Sequence, residues 1–349
     1  MATLSQTSEI SKKAFIGAFI VVGLIFLSIL TFKLGLTLKN MLFPLPPPAS
    51  TVAFGKLPIL DISEGVKSQA KIEYKMETIS GELPKLTHEV KVFQINLPRP
   101  SFGDLERTKA QVARADFKKE PESVTDRIAI FRSTRSPDFV LTINITTENF
   151  VMGSDYLNKK ELLESRPDSI ERAVELGADF LSELGVNLSV MDRKSPRTIL
   201  LKFEEGTLDE AVSLSSANLV KVLFERLPID EVKVISPRLD TSPAWALVSP
   251  REVVEAKVSM QDIAKYKFST YPLKPVTKAF EDLKGGKGAL NKEIEGTVFP
   301  IRDVEIVYLE TENYQPYLQP VYLFKSDNNL AAYVPAVDDS WINDNKTEE

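Results

Sequence analysis

Ala217-Asn-Leu-Val-Lys-Val-Leu-Phe-Glu-Arg226 is the stretch on which the fold turns. Propensity alone would allow a helix here. Val220, Val222 and Phe224 alternate with Lys221, Leu223 and Glu225, however, and a period of two belongs to a strand. The neighbours argue the same way. Ala110-Gln-Val-Ala-Arg-Ala115-Asp116-Phe117 aligns with Ala173-Val-Glu-Leu-Gly-Ala178-Asp179-Phe180, and each is followed by a strand, Ile128-Ala-Ile-Phe-Arg132 or Ile199-Leu-Leu-Lys-Phe203. In the other copies the segment after the first strand is another strand, so 217–226 reads as its counterpart.

Working outward, alternation marks strands at Ala70 to Met76 and Glu89 to Ile95, each with one buried face. Ser101 to Phe117 reads as a helix that Ser101 or Asp104 can cap. Strands follow at Arg127 to Arg132 and Phe139 to Phe150, the second rich in β-branched residues. Asp168 to Leu184 carries the strongest helix signals: Pro167 before it, a cap-like D-x-x-E through Glu171, and Gly185 as the stop. The strand Thr198 to Glu204 comes next. A third, fainter copy has its helix at Pro275 to Lys284, its strand at Asp303 to Glu310, and a hairpin from Gln319 to Val337 turning at Asp327-Asn328-Asn329. The expectation is an α+β fold of antiparallel sheets with packed helices, built from about three helix-plus-strands repeats.

The segment Tyr271 to Val337 is the most distinctive. It contains Tyr271-Pro-Leu-Lys-Pro-Val-Thr-Lys-Ala-Phe-Glu-Asp-Leu-Lys-Gly285-Gly-Lys-Gly288, then Tyr317-Leu-Gln-Pro-Val-Tyr-Leu-Phe324, then Ala332-Tyr-Val-Pro-Ala-Val337. This order resembles the C-terminal part of the YycH/YycI-type membrane-anchored regulatory proteins of bacteria, whose repeats are similar to PepSY-like modules. Ala217 to Leu247 fits the same pattern, and the resemblance covers roughly residues 166–337. It implies a single-pass protein with its folded part outside the cytoplasmic membrane, acting by contact with other envelope proteins. Residues 51–164 depart most from the pattern.

An N-terminal anchor is expected at Ala14 to Phe32, AFIGAFIVVGLIFLSILTF, a stretch without charge between Lys12–Lys13 and Lys33. As a helix it would reach roughly 28 Å, close to the hydrocarbon thickness of a bilayer. Gly17, Ala18, Gly23 and Ser28 are small enough for a neighbouring helix to approach closely. The lysines on the two sides nearly balance. Residues 1–13 are then a cytoplasmic tail, 14–32 the transmembrane helix, and 33–50 an amphipathic and Pro-rich linker whose Pro44-Leu-Pro-Pro-Pro48 favours extended polyproline II. Three α+β regions follow at 51–165, 166–250 and 251–337, and an acidic tail at 338–349 ends the chain.

Composition narrows the function classes. A net charge of −6 with no basic run argues against nucleic acid. The absence of cysteine excludes disulfides and thiol chemistry. His88 is the only histidine, which leaves a Ser–His–Asp triad or a histidine metal site little to work with. Ser68-Gln-Ala-Lys71 matches S-x-x-K but precedes a strand where the motif needs a helix. Gly285-Gly-Lys-Gly288 follows a helix instead of opening one, so it reads as a C-cap and not a phosphate cradle. The acidic pairs Glu204–Glu205, Asp230–Glu231 and Asp338–Asp339 are adjacent in sequence, and neighbours on a strand point to opposite faces. No catalytic, cofactor or metal residue is therefore assigned. The expected function is non-enzymatic regulation or scaffolding of an envelope complex by protein contact. The alternatives are a cell-wall glycan enzyme using carboxylates and an extracytoplasmic ligand sensor.

Overall fold

The computed structural model describes residues 23–35, 50–68, 71–159, 163–204 and 206–343. The chain divides into two units, Met1–Ala49 and Ser50–Glu349.

The second unit is organised by two sheets. In the first, nine strands run in the order Ser123–Thr125, Ile128–Arg132, Val140–Asn144, Phe150–Gly153, Val253–Val258, Ala244–Val248, Leu219–Phe224, Arg197–Glu204 and Thr207–Glu210. Every pairing along it is antiparallel. Leu219–Phe224, expected from its alternation, is an interior strand. Its Val220, Val222 and Phe224 join the core beneath the helices, while Leu219 and Leu223 pack on the opposite face with Trp245 and Leu247. Apolar residues on both faces are what an interior strand covered on both sides requires.

Two helices lie on the same face of this sheet. Ile170–Glu183 starts at Ser169, whose side chain accepts from the Arg172 N–H, and buries Ala173, Gly177, Ala178 and Leu181. Gly177 fits because a Cβ there would stand 3.3 Å from the Ala246 Cβ. The other helix, Asp104–Val112, continues as a 3-10 turn to Ala115 and stops at Asp116, which is left-handed at φ 59°. The Asp104 carboxylate reaches back to take the Ser101 N–H at 2.9 Å.

The second sheet runs Val234–Ile235, Asp303–Leu309, Tyr317–Lys325, Ala331–Pro335, Ala289–Leu290. Glu89–Asn96 joins the beginning of Tyr317–Lys325, and Asp262–Pro272 pairs beyond it with Glu89–Asn96 alone, which makes it an edge. The expected hairpin is present: Tyr322 faces Val334, Leu323 faces Tyr333, and Asn328 and Asn329 supply the positive φ of its turn. Helix Val276–Lys284 buries Ala279 and Leu283 in the core shared by Tyr322, Phe324 and Val334. The Leu60 segment covers the other face over Val307, Val321 and Tyr333.

Four expectations are corrected. Strands dominate the described residues, and the α+β scheme of about three helix-plus-strands repeats does not organise them. The strands that follow the first two helices merge into one nine-stranded sheet because Phe150–Gly153 pairs with Val253–Val258. The transmembrane helix is the second correction. Of that region only 23–35 is described, a helix of about 20 Å against the roughly 30 Å of a bilayer core. No helix among the described residues is long and apolar enough to cross a membrane. Gly23 and Ser28 lie on this short helix, while Gly17 and Ala18 fall outside the described residues. The third correction follows: a cell-membrane, single-pass location with the N-terminus cytoplasmic and the C-terminal part extracytoplasmic loses its support, because it rested on that span. Phe139 to Phe150 is also not one strand. The Asn144 carboxamide takes the Thr146 and Thr147 N–H groups, and Glu148 turns at φ 61°, so the chain reverses before Phe150.

Candidate functional site

A groove of about 610 Å³ opens where the two sheets meet, a size suited to a ligand or a peptide segment. Four pieces of chain build it. The first is the end of helix Ile170–Glu183, where the Gly185 N–H bonds Ser182 and the Val186 N–H bonds Leu181. Gly185 adopts φ 80°, and a Cβ there would collide with the Gln111 side chain, whose Nε2 donates to the Leu184 carbonyl. Only glycine suits that corner. Val186 and Val190 follow as a half-buried apolar wall.

The second piece is the turn at Thr147 to Asn149. The Asn149 carboxamide accepts from the Met260 N–H at 3.1 Å and donates to the Met260 carbonyl at 3.4 Å. It acts as a one-residue strand partner. Glu148 beside it accepts from Arg107 Nε at 3.1 Å. Arg107 is held above its ordinary value by the hydrogen bond to Glu148 and a second to Asp104.

The third piece is Arg226, which lines the groove and is held from behind by a buried ion pair. Arg226 follows the interior strand of the first sheet, and Glu310 follows Asp303–Leu309 of the second. Arg226 Nε stands 2.5 Å from one Glu310 oxygen and Nη2 2.7 Å from the other, with side chains 5% and 1% exposed. Gln261 completes the arrangement: its carbonyl accepts from Arg226, its N–H donates to Glu310, and its carboxamide donates to the Thr311 and Glu312 carbonyls. A buried pair is tolerated when its remaining hydrogen-bonding capacity is filled. This one fastens the two sheets together.

The fourth piece is the edge strand Asp262–Pro272. Asp262 accepts from the Asn96 carboxamide at 3.0 Å. After Ala264 the register breaks, and Lys265, Tyr266 and Lys267 bulge outward before pairing resumes at Phe268. All three are exposed, Tyr266 to 76%.

The residues singled out by sequence lie elsewhere. The His88 side chain is exposed, and its backbone carbonyl takes the Leu273 N–H at 2.8 Å. Ser68, Lys71, Gly285, Gly286 and Gly288 meet around a second hollow of about 340 Å³. The N–H groups of Gly285, Gly286 and Lys287 are spent on closing helix Val276–Lys284, which leaves none of the three for an anion. Asp230 and Glu231 form a tight turn at φ 49° and 67°, with Asp230 on Lys91. Asp338 caps a short turn through the Ser340 N–H, and Asp339 pairs with Lys274 and Lys278. Glu204 pairs with Lys202, and Glu205 lies outside the described residues. Among the described residues no group of three or more His, Cys, Asp or Glu could hold a metal ion. Sequence reading missed Arg226, Gln261 and Glu310. The only signal was at Glu310, a charge placed directly after the apolar run Ile306 to Leu309.

No protein-family model matches the chain, and no curated protein does. Among solved structures it is similar to an uncharacterised protein from Eubacterium rectale, 12% identical with a TM-score of 0.35, over 71% of this chain and 82% of that one. A likeness at that level carries no argument about function.

Proposed function

We propose that this protein works by binding another protein, without catalysis, and that the groove between its two sheets receives a segment of the partner. The observation that carries the reading is the character of the groove. It is open, walled by Leu184, Val186 and Val190, and the two carboxylates on its lining are already engaged, Glu148 by Arg107 and Asp262 by Asn96. General acid–base work needs a carboxylate within reach of substrate and tuned for the task, whereas these serve as structural acceptors. The resemblance to YycH/YycI-type regulators supports the same reading, since such proteins act through contact with a partner.

The test is co-purification after chemical crosslinking in the native cell, comparing the natural chain with Val190→Glu. Val190 is half-buried in the apolar wall, so a charge there spoils the groove while leaving the sheets paired. A specific partner recovered with the natural chain and lost with Val190→Glu is expected. Recovery of the protein alone, or of the same partner with both chains, counts against the reading.

A further inference from the structure

The edge strand Asp262–Pro272 is closed along one half and open along the other. Ile263 pairs opposite Ile95, and the Ile95 N–H is directed away from it, to the Pro316 carbonyl at 2.9 Å. In an antiparallel ladder this places Ile263 at a non-hydrogen-bonded position, with its own N–H and C=O facing outward. Outward is the groove, whose lining includes Ile263. No backbone or side-chain partner for those two groups is present among the described residues.

Beyond the bulge the same edge is occupied. The Thr270 carbonyl accepts from the Val52 N–H at 3.0 Å, the Thr270 N–H donates to Thr51 Oγ1 at 3.0 Å, and the Pro272 carbonyl accepts from the Asp338 N–H at 3.0 Å. The chain therefore lays its own extended segment along this edge at Thr270 and leaves the equivalent groups at Ile263 for something else. Next to the vacant position stands Lys265, exposed and without a carboxylate partner among the described residues. The bulge and its lysines are the devices by which an edge resists open-ended pairing, so they admit a short strand and reject a long one.

We propose that the groove takes a short extended segment of its partner as an added strand beside Asp262–Ala264, bonded to the Ile263 N–H and C=O, with an acidic side chain against Lys265. This deepens the reading of the groove as a protein-binding site and rests on it. Strand addition draws affinity from main-chain bonds and selectivity from alternate side chains. The apolar wall of Val186 and Val190 would receive one set.

The test uses the full chain and fluorescein-labelled hexapeptides in which valine alternates with threonine, glutamate or lysine, read by fluorescence anisotropy. Glutamate peptides are expected to bind saturably and to slow hydrogen exchange at the Ile263 amide. Ile263→Pro removes the outward N–H while sparing the bonds to Glu89–Asn96, and it is expected to weaken binding about tenfold. Lys265→Glu is expected to reverse the preference from glutamate to lysine peptides. No saturable binding by any member, or equal binding by the natural chain and Ile263→Pro with the fold intact by circular dichroism, overturns strand addition. The crosslinked partner separates this failure from failure of the groove itself: a partner that tolerates Ile263→Pro but not Val190→Glu uses the groove without adding a strand.

Discussion

Arg226 and Glu310 are 84 residues apart in sequence and share two hydrogen bonds in space. Removing one partner leaves the other charged, buried and unmatched. Arg226→Ala is therefore expected to lower stability by about 3–5 kcal/mol in urea denaturation. The double change Arg226→Met with Glu310→Leu should recover part of that loss, because no unpaired charge is left buried, although the Gln261 N–H and carbonyl lose their partners. A loss under about 1 kcal/mol for the single change, the size of a surface pair, would mean that the two sheets are not fastened there. Asp339 offers a test by pH. Burial pushes its carboxyl up, but hydrogen bonds from Lys274 and Lys278 outweigh burial and bring it from the ordinary 3.8 down to about 2. A carboxyl lowered on folding adds stability that is fully present above its unfolded value and is lost as pH falls toward the folded one. The natural chain should thus lose stability between about pH 4 and about pH 2 more steeply than Asp339→Asn. Parallel acid limbs for the two proteins would contradict the assignment.

At the scale of elements, helix Ile170–Glu183 shows how sequence becomes structure. Pro167, Glu171 and Gly185 located it to within two residues, but the capping side chain is that of Ser169 and not Asp168. Ser169→Ala should cost about 1 kcal/mol in urea denaturation, and an unchanged midpoint would show that the cap is idle. Leu219–Phe224 was legible from the alternation of Val220, Val222 and Phe224 with Lys221, Leu223 and Glu225. Other strands were not. Ala244-Trp-Ala-Leu-Val248 is buried at every position, so it carries no period to read. In Asp262–Pro272 the three-residue bulge shifts the alternation halfway along. Phe139 to Phe150 misled through its β-branched composition, which hid a turn that depends on the Asn144 side chain. The groove was less legible still. Its Arg226 is held by a carboxylate that follows a strand of the other sheet, and its edge is defined by which backbone groups other segments leave unpaired, a property of the assembled fold and not of any motif.

Across the second unit, the helix-bearing sheet and the Asp262-edged sheet border an open groove beside which, among the described residues, the Ile263 strand position is unpaired. The motifs the sequence advertised are spent on capping, turning and ion pairing. On the proposed reading, the groove is the surface left to receive another chain. Photo-crosslinking by site addresses that surface most directly: a benzoylphenylalanine is placed at Tyr266, beside the groove, or at Val124 on the far edge strand of the nine-stranded sheet, 44% exposed. Irradiation in the native cell should join one partner protein to the chain from position 266 and not from position 124, and Val190→Glu should abolish the product. A product that forms equally from both positions, or none from 266 beyond the protein itself, would contradict a partner-binding groove.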